Sequence, residues 1–179
     1  EQSDLLMAMY GRNGECPMPV IAAKSPSDAF EAGFEACRIA INHMVPVLFL
    51  SDGYIANGSA PWKIKSVSDM PEIKHRLVTE YKEDWNPYDR DENTLARTWA
   101  APGTPGLEHR VGGLEKDKSS GNVSYVPENH EHMVKVREEK IKLDKTIHPA
   151  IGRAQQKLIN LISYVIQLLN KTKLISLAK

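Results

Sequence analysis

The sequence predicts an α/β fold with a parallel sheet, and three observations support this class. Two short apolar runs without alternation, residues 19–23 and 46–50, have the composition of strands that are buried on both faces. A stretch with helical spacing separates them, and a strand, a helix and a strand in about 30 residues make a βαβ unit. Polar residues 51–54 follow the second run, at the end of a parallel strand where ligands of such sheets bind.

The helix between the two strands is signalled from its first residue. Ser25 can cap it through its hydroxyl, Pro26 fits the first helical position, and Asp28 suits the positive end of the helix dipole. Residues 42–43 end the helix. Large apolar residues recur at helical spacing and predict a single buried face, made of Phe30, Phe34, Cys37 and Ile41.

Residues 57–121 have a different texture, because prolines and glycines interrupt them and no long periodic segment survives. We expect an extended connecting segment with short strands at 109–111 and 123–125, which flank a turn at 118–121. A stretch of this length without regular structure is typical of a segment that wraps between domains or subunits.

Two helical stretches complete the chain. Residues 127–145 form a charged helix with a narrow apolar stripe, made of Met133, Val136, Lys140 and Ile141. Residues 158–169 form an apolar stretch that polar residues interrupt, and it is shorter than the roughly 20 residues of a membrane span.

Composition excludes several classes of protein. The chain has 179 residues, of which 41% are hydrophobic, and its 23 basic residues balance 23 acidic ones. Balanced charge predicts neither a nucleic-acid nor a membrane partner. Cys16 and Cys37 make no disulfide framework, which favours a reducing cytoplasm. No targeting segment is visible, and the opening residues have the character of the middle of a longer chain.

The loop that follows the apolar, Met-rich residues 3–10 combines a guanidinium, an amide and a carboxylate on a turn with two glycines. Such a loop suits the binding of a carboxylate or the orientation of a polar ligand. A turn with solvated charges is the more ordinary interpretation of the same residue types. Its members are Gly11, Arg12, Asn13, Gly14 and Glu15.

Two other polar groups are weaker candidates. Asp52 lies at the carboxyl end of the second strand, where it faces a ligand or simply forms a turn. His130 and His132 flank Glu131, but side chains two positions apart leave a helix on different faces, and no third ligand follows. We therefore predict a solvated helix face there and no metal site. The chain contains no GxSxG, P-loop or GxGxxG motif.

The order of the motifs resembles one enzyme family over about residues 1–145. The chain reads E-Q-S-D-L-L at 1–6, Y-G-R-N-G-E at 10–15, L-S-D-G-Y at 50–54, P-G-T-P-G-L-E-H-R at 102–110 and P-E-N-H at 127–130. These runs resemble the alpha subunit of 2-oxoacid:ferredoxin oxidoreductases, and in particular the 2-oxoglutarate type.

This resemblance implies a transketolase-like domain that holds the aminopyrimidine side of thiamine diphosphate. It implies a beta subunit with the diphosphate site, Mg²⁺ and an iron–sulfur cluster. The implied reaction is oxidative decarboxylation of 2-oxoglutarate to succinyl-CoA, with coenzyme A as co-substrate and ferredoxin as electron acceptor. Pyruvate and branched-chain 2-oxoacids are alternative substrates, and a truncated, non-catalytic assembly module is an alternative role. In such an enzyme the protein contributes positioning and electrostatics.

We expect Arg12 and Asn13 to bind the 2-oxoacid, because arginine holds a carboxylate through two parallel hydrogen bonds. The residues expected at the cofactor are Gly11, Gly14, Glu15 and Asp52. Asn13 departs from the family, which often has histidine there. The part of the domain expected to activate the aminopyrimidine would precede Glu1, so no catalytic residue is assigned, and we expect the chain alone to be inactive.

These observations divide the chain into four parts. Residues 1–60 are the C-terminal part of the pyrimidine-binding domain, 61–126 an inter-domain or inter-subunit segment, and 127–145 a helix. Residues 146–179 form a helical tail without the strand and Gly-rich turn of the family. A shifted reading frame or a genuine lineage-specific helix would each produce that tail.

Overall fold

A computed structural model describes residues 3–143, and the predicted α/β class is confirmed. The tail predicted at 146–179 lies outside the described residues. No helix within 3–143 is both long and apolar enough to cross a membrane. The helices are α1 (Ser3–Tyr10), α2 (Pro26–His43), α3 (Gly53–Asn57) and α4 (Pro127–Leu143), and the strands are β1 (Val20–Ala22), β2 (Leu48–Leu50), β3 (Leu77–Val78) and β4 (Trp99–Ala100).

The predicted βαβ unit consists of β1, α2 and β2. The strands pair in parallel with Val20 opposite Leu48, and α2 makes the crossover that parallel pairing requires. The Ser25 hydroxyl accepts a hydrogen bond from the Asp28 amide at 3.2 Å, which is the cap that the sequence predicts. Met44 ends α2 in the left-handed region, with φ of 46°.

The buried face of α2 is not the predicted one. Ala32, Ala36 and Ile39 join Ile21 of β1 in the core. Of the predicted face, Cys37, Phe30 and Ile41 are exposed and Phe34 is half-buried. Small side chains let the helix lie close to the strand, and the larger ones remain on the outside, where Phe30 meets the Trp62 ring at 5.0 Å. Spacing alone did not separate these two apolar stripes.

Burial of the two strands is unequal. β1 is buried as predicted, but Phe49 in the centre of β2 is 39% exposed. Within residues 3–143, β2 has β1 as its one strand neighbour. The prediction that β2 is buried on both faces is therefore wrong for the described part of the chain, because residues 3–143 leave the face that carries Phe49 partly uncovered.

The connecting segment contains little regular structure, as predicted, but its strands lie elsewhere. β3 and β4 pair in parallel, with Leu77 opposite Trp99. The strand predicted at 109–111 is absent, because His109 instead turns its ring towards Trp85 and bonds the Leu107 carbonyl. At 123–125 a single antiparallel bridge joins Val123 to Lys116.

Helix α4 packs on the end of the βαβ unit. The predicted stripe is confirmed, since Met133, Val136, Lys140 and Ile141 are buried, together with Asn129. Ile141 belongs to the same core cluster as Ile39. The Lys140 ammonium donates to the Met44 carbonyl at 2.8 Å, which ties α4 to the end of α2.

Candidate functional site

The loop after α1 requires both of its glycines. The Gly11 amide donates to the Met7 carbonyl at 3.0 Å, and a Cβ at Gly11 would lie 2.8 Å from the Met7 Cα. Gly14 has φ of +69°, a conformation that favours glycine. The turn therefore ends α1 sharply and places Arg12 and Asn13 at its tip.

Within residues 3–143, Arg12 is anchored through its Nε. Its Nε donates to the Ala8 carbonyl at 2.9 Å, near the C-terminal end of α1. Its Nη1 is buried and has no hydrogen-bond partner in the described part of the chain. A buried guanidinium donor without a partner is unusual, and an anionic oxygen is its natural acceptor. Asn13 beside it is exposed.

Glu15 connects this loop to α4. Its Oε1 lies 3.5 Å from Arg137 Nη2 and 3.7 Å from His130 Nε2. The same two α4 side chains reach Glu115, with His130 Nδ1 at 3.0 Å and Arg137 Nη1 at 3.3 Å from its Oε2. We call Glu15, Glu115, His130 and Arg137 the charge cluster.

Glu115 is the most enclosed carboxylate of the charge cluster. Partial burial raises its pKa, but hydrogen bonds from His130 and Arg137 lower it more, so that the pKa lies below its ordinary value of 4.5. Glu115 is therefore ionised at neutral pH, and both of its α4 partners face a negative charge.

Asp52 stands apart from the loop. It is the N-cap of α3, and its Oδ1 accepts a hydrogen bond from the Ile55 amide at 2.8 Å. Among residues 3–143, no hydrogen bond or ion pair joins Asp52 to residues 11–15. The structure thus brings Gly11, Arg12, Asn13, Gly14 and Glu15 together on one loop and leaves Asp52 on another element.

Sequence reasoning missed the charge cluster, although part of the signal was present. His130 and Arg137 are seven residues apart, which places them on one face of a helix. His130 is exposed as predicted, but it is paired with Glu115 rather than merely solvated. No group of three or more His, Cys, Asp or Glu side chains suited to a metal occurs between residues 3 and 143.

A second polar site was also missed, in the connecting segment. It is an open cavity of about 450 Å³ whose lining includes Arg76, Trp85, Arg90, Asp91 and Thr98. Arg76 pairs with Asp91 at 3.2 Å, and Trp85 Nε1 donates to the Thr98 hydroxyl at 2.9 Å. Burial, and then the charge of Arg97, lower the pKa of Arg90 to about 10. Charges of both signs line this cavity, so its chemistry points to no single ligand.

Comparison with known proteins finds a family, a curated relative and a solved structure that this chain resembles. Residues 1–126 match the family described as pyruvate flavodoxin/ferredoxin oxidoreductase, thiamine diP-binding. The chain is 56% identical over 141 residues to the 2-oxoglutarate oxidoreductase subunit KorA of Mycobacterium tuberculosis, covering 79% of this chain and 21% of that protein. It therefore spans about a fifth of the length of this curated relative.

The third match is a solved structure, the 2-oxoglutarate:ferredoxin oxidoreductase from Magnetococcus marinus with 2-oxoglutarate, coenzyme A and succinyl-CoA bound. The two share 30% identity with a TM-score of 0.65, over 78% of this chain and 24% of the other. This likeness agrees with the sequence matches, so that sequence and fold point to the same family.

Proposed function

Because this chain belongs to the pyruvate flavodoxin/ferredoxin oxidoreductase family, in its thiamine diphosphate-binding part, we propose that it acts as a segment of a 2-oxoglutarate:ferredoxin oxidoreductase alpha subunit. The 56% identity to a 2-oxoglutarate oxidoreductase subunit is the observation that carries the choice of substrate. In this proposal 2-oxoglutarate loses carbon dioxide, coenzyme A receives the succinyl group, and ferredoxin accepts the electrons. The beta subunit contributes Mg²⁺ and an iron–sulfur cluster.

The loop at residues 11–15 fits the substrate side of such a site. The buried Arg12 Nη1 has no acceptor among residues 3–143, and a carboxylate of the 2-oxoacid supplies one. Asn13 is exposed beside it and offers an amide to the same ligand. We therefore assign Arg12 and Asn13 to the 2-oxoacid.

Fit to the cofactor is partial. Gly14 has open space where a Cβ would be, so that it lets a flat ring approach the backbone, and Gly11, which packs against Met7, holds the turn that presents Gly14. Glu15 and Asp52 already have protein partners, and we place them at the border of the aminopyrimidine, where they hold the loop and α3 in position. Thiamine diphosphate, when bound, supplies the carbanion chemistry.

Cys16 and Cys37 are free cysteines, which supports a reducing, cytoplasmic location for this enzyme.

Substrate preference tests the proposed reaction directly. The full-length subunit that contains this segment is assembled with its beta subunit, and ferredoxin reduction is followed with 2-oxoglutarate, pyruvate and a branched-chain 2-oxoacid in turn. We expect the highest kcat/KM with 2-oxoglutarate. A higher value with pyruvate overturns the choice of substrate, and no reduction with any 2-oxoacid favours the non-catalytic assembly module.

The role of Arg12 has its own test in the same assembled enzyme. Loss of a charged hydrogen-bond donor costs about 1.5–3 kcal/mol, so Arg12→Ala should lower kcat/KM for the 2-oxoacid by about 10- to 100-fold. Arg12→Lys should restore part of it, because the charge remains while the two-pronged geometry is lost. Lys74→Ala, which removes an exposed cation elsewhere, is the control. Unchanged kinetics for Arg12→Ala would leave Arg12 as a structural loop residue.

This chain on its own should be inactive and should bind thiamine diphosphate weakly, since the proposed site is shared with a second subunit and with further parts of the alpha subunit. Calorimetric titration of the chain with thiamine diphosphate and Mg²⁺ measures this. Micromolar binding would contradict the shared site.

A further inference from the structure

The loop that carries Arg12 is attached to the rest of the protein on both sides. On one side, Arg12 Nε donates to the Ala8 carbonyl of α1. On the other, Glu15 meets Arg137 at 3.5 Å and His130 at 3.7 Å, across 122 residues of sequence between Glu15 and Arg137. Only Asn13 and Gly14 separate the two attached residues, so the direction of the Arg12 side chain depends on both.

Arg137 lies on α4, and buried contacts fix α4 against the rest of the protein. Val136 beside it is buried, and Ile141 one turn further lies in the core with Ile39. The Lys140 ammonium donates to the Met44 carbonyl at the end of α2. Arg137, together with His130 on the same helix, therefore links the loop to a helix that is fixed against the βαβ unit.

The guanidinium of Arg137 also bridges two carboxylates. Its Nη1 faces Glu115 and its Nη2 faces Glu15, a divided arrangement that the planar guanidinium suits. Without Arg137, two negative charges share one histidine and repel each other. Because Glu15 is half-exposed, solvent screens its ion pair with Arg137, which contributes little to stability. Its loss should thus displace the loop without unfolding the protein.

We propose that Arg137, supported by His130 and Glu115, is a positioning residue for 2-oxoacid binding, since it holds Glu15 and thereby orients Arg12. This inference rests on the proposed substrate role of Arg12. It predicts an effect on substrate affinity from a side chain that does not touch the substrate, located on the helix that follows the connecting segment.

The test uses the full-length subunit assembled with its beta subunit. Arg137→Ala should raise the KM for 2-oxoglutarate by about two- to fivefold, with kcat nearly unchanged, because a misplaced binding group weakens binding while the cofactor chemistry is intact. Arg137→Lys should recover part of the loss. Lys135→Ala is the matched control, because Lys135 makes an exposed ion pair with Glu131 on the same helix.

The possible outcomes distinguish the positioning role of Arg137 from the proposed substrate role of Arg12. A raised KM in Arg137→Ala, an unchanged KM in Lys135→Ala and an unchanged melting temperature in both support the positioning role. If Arg12→Ala raises KM and Arg137→Ala does not, the positioning role is overturned while the substrate role of Arg12 stands. If Arg12→Ala leaves KM unchanged, the substrate role itself fails. A lower melting temperature with unchanged KM makes Arg137 structural only.

Discussion

The βαβ unit and the connecting segment are stabilised by different kinds of interaction. In the βαβ unit, Ile21, Ile39 and three alanines bury apolar surface around regular helix and strand hydrogen bonds. In the connecting segment, strands of two residues alternate with turns that are held by side chains. The comparison shows that one protein combines a core specified by apolar pattern with a segment specified by local polar contacts.

Two aspartates illustrate the polar contacts of the connecting segment. Asp91 accepts hydrogen bonds from the amide and the hydroxyl of Thr94, and the hydroxyl bond is the largest cause of its lowered pKa. Asp117 accepts from the amides of Ser120 and Ser119, which likewise lower its pKa. Such side-chain bonds to the backbone fix a turn without a helix or a sheet.

The largest effect should come from the apolar core. Ile39 is 0% exposed, so Ile39→Ala should reduce the free energy of unfolding of the full-length subunit by about 2–5 kcal/mol. Ile64→Ala is the matched change in the connecting segment, where Ile64 is 79% exposed, and it should stay within about 0.5 kcal/mol. Urea unfolding measures both. Equal losses would show that the segment depends on apolar burial as much as the unit does.

An equal or smaller effect should come from the glycines of the connecting segment. Gly121 and Gly103 both have positive φ, at +74° and +85°. A Cβ at Gly121 would lie 2.7 Å from Cγ of the buried Pro87, whereas nothing lies within 4 Å at Gly103. Gly103→Ala should therefore cost about 1–2 kcal/mol of backbone strain, and Gly121→Ala about 1–3 kcal/mol more from the clash.

Denaturant unfolding compares the two glycine variants, and hydrogen exchange at residues 115–124 locates the change. The same loss in both variants would mean that the contact with Pro87 does not shape the turn.

The smallest effect should come from the charge cluster, which joins the two regions. Glu115 has a folded pKa below its ordinary value of 4.5, so it adds stability above that pH and loses it as the pH falls through the folded pKa. The loss should stay under about 1 kcal/mol, because its partners are partly exposed. Glu115→Gln should remove this part of the acid dependence. Identical acid profiles for the two proteins would contradict the lowered pKa.

How far the sequence predicts the structure differs between the two regions. The apolar runs and Ser25-Pro26 predict the βαβ unit, but not which stripe of α2 is buried, because alanines and large residues both follow helical spacing. In the connecting segment the prediction of a strand at 109–111 is wrong, because alternation of apolar and polar residues is too weak a signal over only three positions. The five-residue α3, with Asp52 as its cap, is likewise too short to show a period.

The candidate site shows the same limit. Residues 11–15 were predicted as one polar loop, because consecutive residues on a glycine turn are neighbours whatever the rest of the chain does. The pairing of Glu15 with Arg137, 122 positions later in the sequence, depends on how α4 packs. A local sequence pattern cannot predict a contact between residues so far apart. Whether Arg12 binds the 2-oxoacid stays a prediction.

The hydrogen bond between Lys140 and Met44 makes the connecting segment a loop with both ends held, since it joins residues that are 96 positions apart. The entropy of closing a loop grows only with the logarithm of its length, and doubling the length costs about 0.6 kcal/mol. Insertions and deletions between the two ends should therefore change the free energy of folding only slightly. During synthesis the order matters more: Ile21 and Ile39 leave the ribosome long before Ile141 arrives to complete their cluster. The core of the βαβ unit therefore stays partly exposed to solvent during synthesis until α4 has been made and packs against it.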